Sequence, residues 1–347
     1  MTDLAQTRPA PFATRSPRIE PIPLILFAVF AATPFLAPMS GAEGYVLSLL
    51  TRVMILGLAA MSLDLILGYG ALVSFGHAAF LGIGGYTVGI LASNGAEDAL
   101  VQIPVALAAS AVFAAVTGAI SLRTKGVYFI MITLAFGQML FFLATSLASY
   151  GGDDGMTLSS RSLLAGTSFL KDDRAFYGFT LACLLGTYVL SRAIVASRFG
   201  RVLRGSRENP VRMEAIGFQP FRYQLLAYVI SGMMAGLAGF LLANQAEFIS
   251  PSFMTWQRSG ELIFMVVLGG LGSLHGAIIG AAAFLLLEEF LPEILHAAGT
   301  MLSSDLQYRL VENWKMVFGP LLILIVLFAR GGIMGLLGRG RPDRQEG

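Results

Sequence analysis

The residues able to do polar chemistry are few, and they sit inside apolar sequence. His77 and His275 each lie at a glycine-rich turn, in SFGHAAF and GSLHGAI. A histidine at membrane depth marks either a solute path or a turn tied by a hydrogen bond to a backbone carbonyl. Ser74, Thr133, Gln138, Asn244 and Gln245 add groups that suit a polar solute; helix–helix hydrogen bonding accounts for each of them equally well. Neither histidine has a partner at metal-ligand spacing, and His296 falls in a separate outer loop, so no metal site is expected. Asp64 stands near the inner end of an apolar run, where it can pair with Arg123 or cap a turn at Gly68. There is no G-x-x-x-x-G-K-[ST] loop to cradle ATP phosphates, and no Ser/His/Asp or Cys/His set. Chains of intramembrane carboxylates, expected of many ion pumps, are also missing. The reading is a non-enzyme without a cofactor of its own, powered from elsewhere or passive.

A second constellation is electrostatic. Residues 198–223, RFGRVLRGSRENPVRMEAIGFQPFRY, form the longest charged island in the chain, with Arg198, Arg201, Arg204, Arg207, Arg212 and Arg222. A short helix is punctuated inside it. Asn209 suits the N-cap and Pro210 the first helical position, where a missing N–H needs no partner. Gly217 suits the left-handed turn that ends a helix. Val211, Ala215 and Phe218 fall at i, i+4 and i+7 and share one face. An ordinary positive loop explains the arginines alone. Cap, stripe and stop together describe a surface built to dock on another protein.

These residues are positioned by a membrane domain. Of 347 residues, 56% are hydrophobic and 13% charged, too few charges to cover a soluble domain of this length. Apolar runs of roughly 17 to 25 residues read as membrane helices. Spans are expected at 21–39 (Pro34 a kink), 45–67, 101–122, 127–148, 175–196, 224–244 and 314–329. Residues 68–92 are apolar but dense in glycine, and 261–291 is too long for one crossing and is interrupted by GGLGSLHG, which predicts two short helices. The expected fold is therefore all-α and polytopic, with about ten membrane segments including broken or re-entrant helices. The single cysteine, Cys183, permits no internal disulfide. No cleavable leader is expected, because the first apolar run follows a polar tail.

Orientation follows from Lys and Arg near the span ends. With the N-terminus inside, the inner face receives the 1–20 tail, Arg123 and Lys125, the 198–223 loop and the 331–347 tail. The outer face receives the acidic loops around Glu97 and Asp98, the 149–174 loop with Asp153 and Asp154, Glu247, and Asp305. The membrane domain then runs from 21 to 330. LGYGALVSFGHAAFLGIGGY (67–86) and LGGLGSLHGAIIGAAAF (268–284) share LG, glycine, Leu, Ser, an apolar residue and His in order, which reads as a two-fold internal repeat. Irregular backbone at that depth needs protein or a water-filled cavity around it, so both turns are expected beside a central path.

LGYGALVSFGHAAFLGIGGYTVGIL, LRTKGVYFIMITLAFGQM, the TSLASYGGDDGM region and ENPVRMEAIGFQPFRYQLLAYVISGMMAGLAGFLLA resemble the LivM-type permeases of bacterial branched-chain amino acid ABC importers, over 46–329. The resemblance implies a LivH-type sister permease, two cytoplasmic ATPases of the LivG and LivF types that hold the ATP, a periplasmic solute-binding protein, and a place in the bacterial inner membrane with both termini cytoplasmic. Nucleic acid has no part in it. It implies that 208–217 is the ATPase-coupling element, with Arg207, Glu208, Asn209, Arg212, Glu214, Ala215 and Gly217 at or near the contact. The usual importer signature, EAA, three residues, then G, is shortened here to Glu214, Ala215, Ile216, Gly217. That leaves open which residue makes the main contact. Ser74, His77, Thr133, Gln138, Asn244 and His275 are the candidates for the translocation path. Related permeases serve urea, short amides or aromatic acids, and a self-contained secondary transporter or channel is the reading from another class.

Overall fold

The structure is a computed structural model and describes residues 21–299, 315–328 and 331–338. The 1–20 tail, Trp314, Asp305, and the basic residues Arg330, Arg339, Arg341 and Arg344 lie outside the described residues. Helix α1 (Pro21–Leu36) carries Pro34 and runs into a 3-10 turn, Ala37–Ser40. Then come α2 (Glu43–Leu67), α3 (Ala78–Ser93), α4 (Ala99–Ser121), α5 (Val127–Ser146) and α6 (Asp173–Ala196). The island holds α7 (Arg198–Glu208) and α8 (Pro210–Ala215). Next follow α9 (Pro220–Ala246), α10 (Trp256–Gly269), α11 (Leu274–Gly299), α12 (Lys315–Phe328) and α13 (Gly332–Gly338). Six of these, α1, α2, α4, α5, α6 and α9, are long and apolar enough to cross a membrane. The bent pair α10/α11 qualifies as a seventh, and α3 is a shorter apolar helix. The fold is the all-α polytopic one that the apolar runs predict.

Helix α2 is the axis. From Val53 to Ile66 every side chain is buried, so it is apolar all round instead of striped. It packs against α6, α9, α10 and α11, while α3 fills the angle between α4 and α9. Backbones approach closely where glycines meet them. Gly84 of α3 lies against the Gly236 carbonyl, and Gly239 of α9 against the Leu81 carbonyl. In hydrocarbon the packing drive comes from such close van der Waals contact, because lipid offers apolar side chains as good a solvent as the protein does. The outward faces of α4 and α5 are apolar and open, with Val112, Val116, Met131 and Phe142 exposed. A groove of about 760 Å³ lies between them, lined by Ala108, Val112, Phe136 and Met139 among others.

Two expectations change. The chain does turn at GGLGSLHG, through 115°. Gly270 (φ 117°) and Gly272 (φ 76°) adopt backbone that L side chains rarely take. Only the first arm is short, however; α11 runs 26 residues, and His296 lies in its last turn instead of in a loop. A helix of that length is about 39 Å long, so it exceeds a single leaflet. The reason is compositional: after Gly280 no glycine or proline breaks the helix until Pro292, which it carries internally, and Glu288 and Glu289 in between are good helix formers. The island also holds one helix more than expected, α7.

Charge separates along the bundle. Arg123, Lys125 and the island lie at the end where α2 and α10 finish. The other end gathers Glu43, Glu97, Asp98, Asp172, Asp173 and Glu247, tied there by Arg174–Glu43 and by Arg161 to Asp173 at 2.7 Å and Glu247 at 3.6 Å. This is the division that alternation of the spans requires.

Candidate functional site

The basic end presents a built surface. The Asn209 side chain accepts the Arg212 N–H at 2.9 Å and caps α8, with Pro210 at its first position. At the other end Gly217 has φ 89°. The Gly217 N–H donates to Glu214 at 2.9 Å, and the Phe218 N–H to Met213 at 3.0 Å. Those two bonds are a Schellman closure, which satisfies carbonyls that a free helix end leaves open. Met213 is the buried anchor, its sulfur packed on Gly205 of α7. The stripe read from the sequence faces outward. Val211 is 71% exposed, Ala215 is exposed and Phe218 is 37% exposed, and Ile216, outside that stripe, is open beside them. Glu208, Asn209, Arg212 and Glu214 are exposed too, and among the described residues no ion pair takes up Glu208, Arg212 or Glu214. Beside α8 a cleft of about 440 Å³ is bordered by Phe199, Phe218, Gln219, Arg222 and Tyr223. Tyr223 fixes its floor, with Phe199 at 5.5 Å and Phe218 at 6.0 Å between ring centroids.

The arginines of α7 do not share a face. Arg198, Arg201, Arg204 and Arg207 recur every third residue, so each is rotated by about 60° from the last on a helix of 3.6 residues per turn. Arg201 donates to the Ala196 carbonyl at 3.2 Å and Arg204 to Val195 at 3.3 Å. Both satisfy the open C-terminal end of α6. Arg207 is exposed, and its guanidinium donates to the Gly68 carbonyl at the end of α2. Val202 and Leu203 are buried against the bundle and hold α7 in place.

The two glycine-rich turns meet at this end. Asp64, fully buried, accepts the Gly272 N–H on its Oδ1 at 2.8 Å. Of the two roles read for Asp64, pairing with Arg123 does not occur; the carboxylate caps the second glycine turn instead of the first. Deeper in the bundle, Ser231 Oγ donates to the Ser62 carbonyl, and the Ala78 N–H donates to Ser259 Oγ at 3.0 Å. Ser62 Oγ lies 2.6 Å from the Ala59 carbonyl and 2.9 Å from His77 Nε2. The single hydroxyl proton of Ser62 goes to that carbonyl, so His77 carries its proton on Nε2 and donates it to Ser62. His77 therefore fixes its turn through a hydroxyl of α2, not through a backbone carbonyl, with its ring against Phe80.

The six path candidates divide. Ser74, His77 and Thr133 come together, because Gly76 lies against the Thr133 carbonyl and Gly137 packs on Gly76. All three are buried. Gln138, one residue beyond Gly137 on α5, is half-buried, as is His275 on the first turn of α11. Asn244 belongs elsewhere. Its Oδ1 accepts the Ser162 N–H at 2.7 Å and so holds the 149–174 loop, and its Nδ2 donates to the Phe240 carbonyl of its own helix at 2.9 Å, so both ends are occupied. Gln245 likewise donates to Ser48 at 2.9 Å.

That loop folds over the acidic end. Met156 and Thr157 pair antiparallel with Ile249 and Phe248. Ser162 Oγ donates to Gln102 at 2.6 Å, and Asp98 accepts N–H groups from Leu100, Ala165 and Gly166. A pocket of about 170 Å³ lies beneath, between Val88, Ser93, Gln102, Met156 and Ser160. Ser62, Ser231 and Ser259 went unread in the sequence, since a serine in an apolar run carries no periodic signal of its own. Asp98 had one: a carboxylate immediately before a helix start.

The family described as "Branched-chain amino acid transport system / permease component" matches residues 45–327. The high-affinity branched-chain amino acid transport system permease protein LivM of Salmonella typhimurium is 26% identical over 335 residues, covering 90% of this chain and 74% of that protein. LivM of Escherichia coli K12 is 26% identical over 308 residues, covering 82% and 68%. LivH of Escherichia coli K12 is 30% identical over 166 residues, covering 48% and 47%. No solved structure matches the chain significantly.

Proposed function

Since the chain belongs to the permease components of branched-chain amino acid transport systems, we propose that it moves branched-chain amino acids inward by alternating access, driven by ATPase subunits that dock on α8. The observation that carries this is the capped, outward-facing apolar helix at the basic end. Val211 and Ile216 lie open to solvent there on a helix closed by Asn209 and Gly217. A six-residue helix is too short to persist by propensity. This one is held by caps and by Met213, and its apolar face serves nothing within the described chain. With no phosphate-binding loop in the sequence, ATP is held by the partners. The basic end is the cytoplasmic one by the charge rule, and the acidic end faces the solute-binding protein.

In the working cycle, closure of the ATPases displaces α8. Helices α6 and α9 flank α7 and α8 and tilt with them. The path beside the glycine turns, near Ser74, His77 and Thr133, then opens to the acidic end and receives solute. A LivH-type sister permease completes the walls of the path. Hydrolysis resets the arrangement.

The test is uptake of labelled leucine into vesicles holding the assembled importer, with and without ATP. Replacing Glu214 and Gly217 is expected to abolish uptake and uncouple hydrolysis while insertion is unchanged. Uptake that survives both changes removes the docking role. Ion-driven uptake by this chain alone removes the ATPase reading altogether.

A further inference from the structure

Hydrogen bonds and close packing join α7, the end of α2 and the α10/α11 turn. Three segments meet at one point. The Gly68 carbonyl, closing α2, accepts the Arg207 guanidinium from α7. Four residues earlier, Asp64 Oδ1 accepts the Gly272 N–H from the α10/α11 turn at 2.8 Å. Gly68 and Gly272 are themselves in contact: a methyl added to Gly68 would sit 2.7 Å from the Gly272 Cα and overlap its nitrogen. Asp64 is wholly buried, and its Oδ2 has no hydrogen-bond partner among the described residues. On the other side, α7 and α8 are packed together. Met213 of α8 packs on Gly205, and only Asn209 separates the two helices. Leu203, also buried, reaches toward Gly70 of the first turn.

We propose that Arg207 and Asp64 are positioning residues that form a latch, through which a displacement of α8 is passed to both glycine turns at once. Arg207 pulls on the end of α2, and Asp64 carries that pull to the α10/α11 turn. Arg207 thus acts inward on the permease and not as a contact to the ATPase. A buried carboxylate with a single backbone donor is costly to move alone, so the two turns shift together or not at all. This rests on the transport reading above, and its test separates the two.

The first arm uses hydrogen exchange on the purified full-length chain in lipid nanodiscs and needs no partner. Arg207→Ala and Asp64→Ala should each speed exchange at Gly272 and in residues 68–72. Arg207→Lys should restore protection in part, and Asp64→Asn should restore it because an amide oxygen still accepts the Gly272 N–H. Unchanged exchange in both alanine variants overturns the latch. The second arm uses the assembled importer. Arg207→Ala should cut leucine uptake by roughly tenfold, within the range typical of coupling between sites, while ATPase subunits still co-purify and hydrolysis persists. Loss of ATPase binding in Arg207→Ala overturns the proposal, since it makes Arg207 a docking contact. Altered exchange together with no ATP-dependent uptake even in the unmodified importer leaves the latch standing and removes the transport reading instead.

Discussion

Gly84 of α3 and Gly236 of α9 touch, backbone to backbone, near the middle of the bundle. A methyl at Gly84 would overlap the Gly236 carbonyl oxygen and come within 2.9 Å of the Phe240 nitrogen. These are backbone atoms and cannot rotate away. Gly84→Ala is therefore expected to destabilise by about 1–3 kcal/mol, the usual cost of overpacking. Gly186, in the middle of α6, has nothing within 4 Å of an added methyl. There Gly186→Ala should be neutral or gain up to about 1 kcal/mol of helix propensity. Thermal unfolding of the two variants in detergent compares them directly, and equal midpoints would refute the close contact.

The cap of α8 gives a graded series. Asn209→Ala removes the acceptor for the Arg212 N–H and should cost the helix about 1 kcal/mol; Asn209→Ser keeps an acceptor and should cost less. Gly217→Ala forces an L side chain to φ 89° and should cost about 1–2 kcal/mol. Because α8 has only six residues, losses of that size unfold it while the membrane bundle stands. Limited proteolysis at 208–218 should rise in the order Ser, Ala at 209, with the global unfolding midpoint unchanged.

His77 is expected to be structural first. His77→Leu leaves Ser62 Oγ without its donor and should lower stability by about 1–3 kcal/mol. His77→Gln carries an N–H that can reach the same oxygen and should recover part of that loss. A change in leucine affinity with no change in unfolding midpoint would instead make His77 a path residue.

Asn244 closes the acidic end. Asn244→Leu deprives the Ser162 N–H of its acceptor, and amide exchange across 158–165 should accelerate locally. Asn244→Asp keeps the acceptor oxygen for Ser162 but loses the donor to Phe240, so protection of that loop should be retained. Equal exchange in all three proteins would show that the loop is held by Asp98 and Arg161 without Asn244.

Apolar run length is a local property, and it sufficed for the spans: the expected 45–67, 101–122 and 127–148 correspond to α2, α4 and α5 within a few residues at each end. The α8 cap was equally legible, because Asn-Pro at one end and glycine at the other act over four residues and need no distant partner. Loop charge was legible for the same reason, and the structure keeps the acidic and basic groups at opposite ends. What the sequence left open were the partners of single polar residues. Asn244 and Thr133 look alike in a row of letters, each a polar group in an apolar helix. Only packing sends the first to Ser162, 82 positions away, while the hydroxyl of the second donates within its own helix to the Ile130 carbonyl at 2.9 Å. Asp64 had two candidates, Arg123 and the turn at Gly68, and a residue 208 positions distant took it. Run length, capping and charge are summed along the chain and survive without a fold. A buried hydrogen bond is worth making only with whichever group the fold brings within about 3 Å, and no spacing in the sequence encodes that choice.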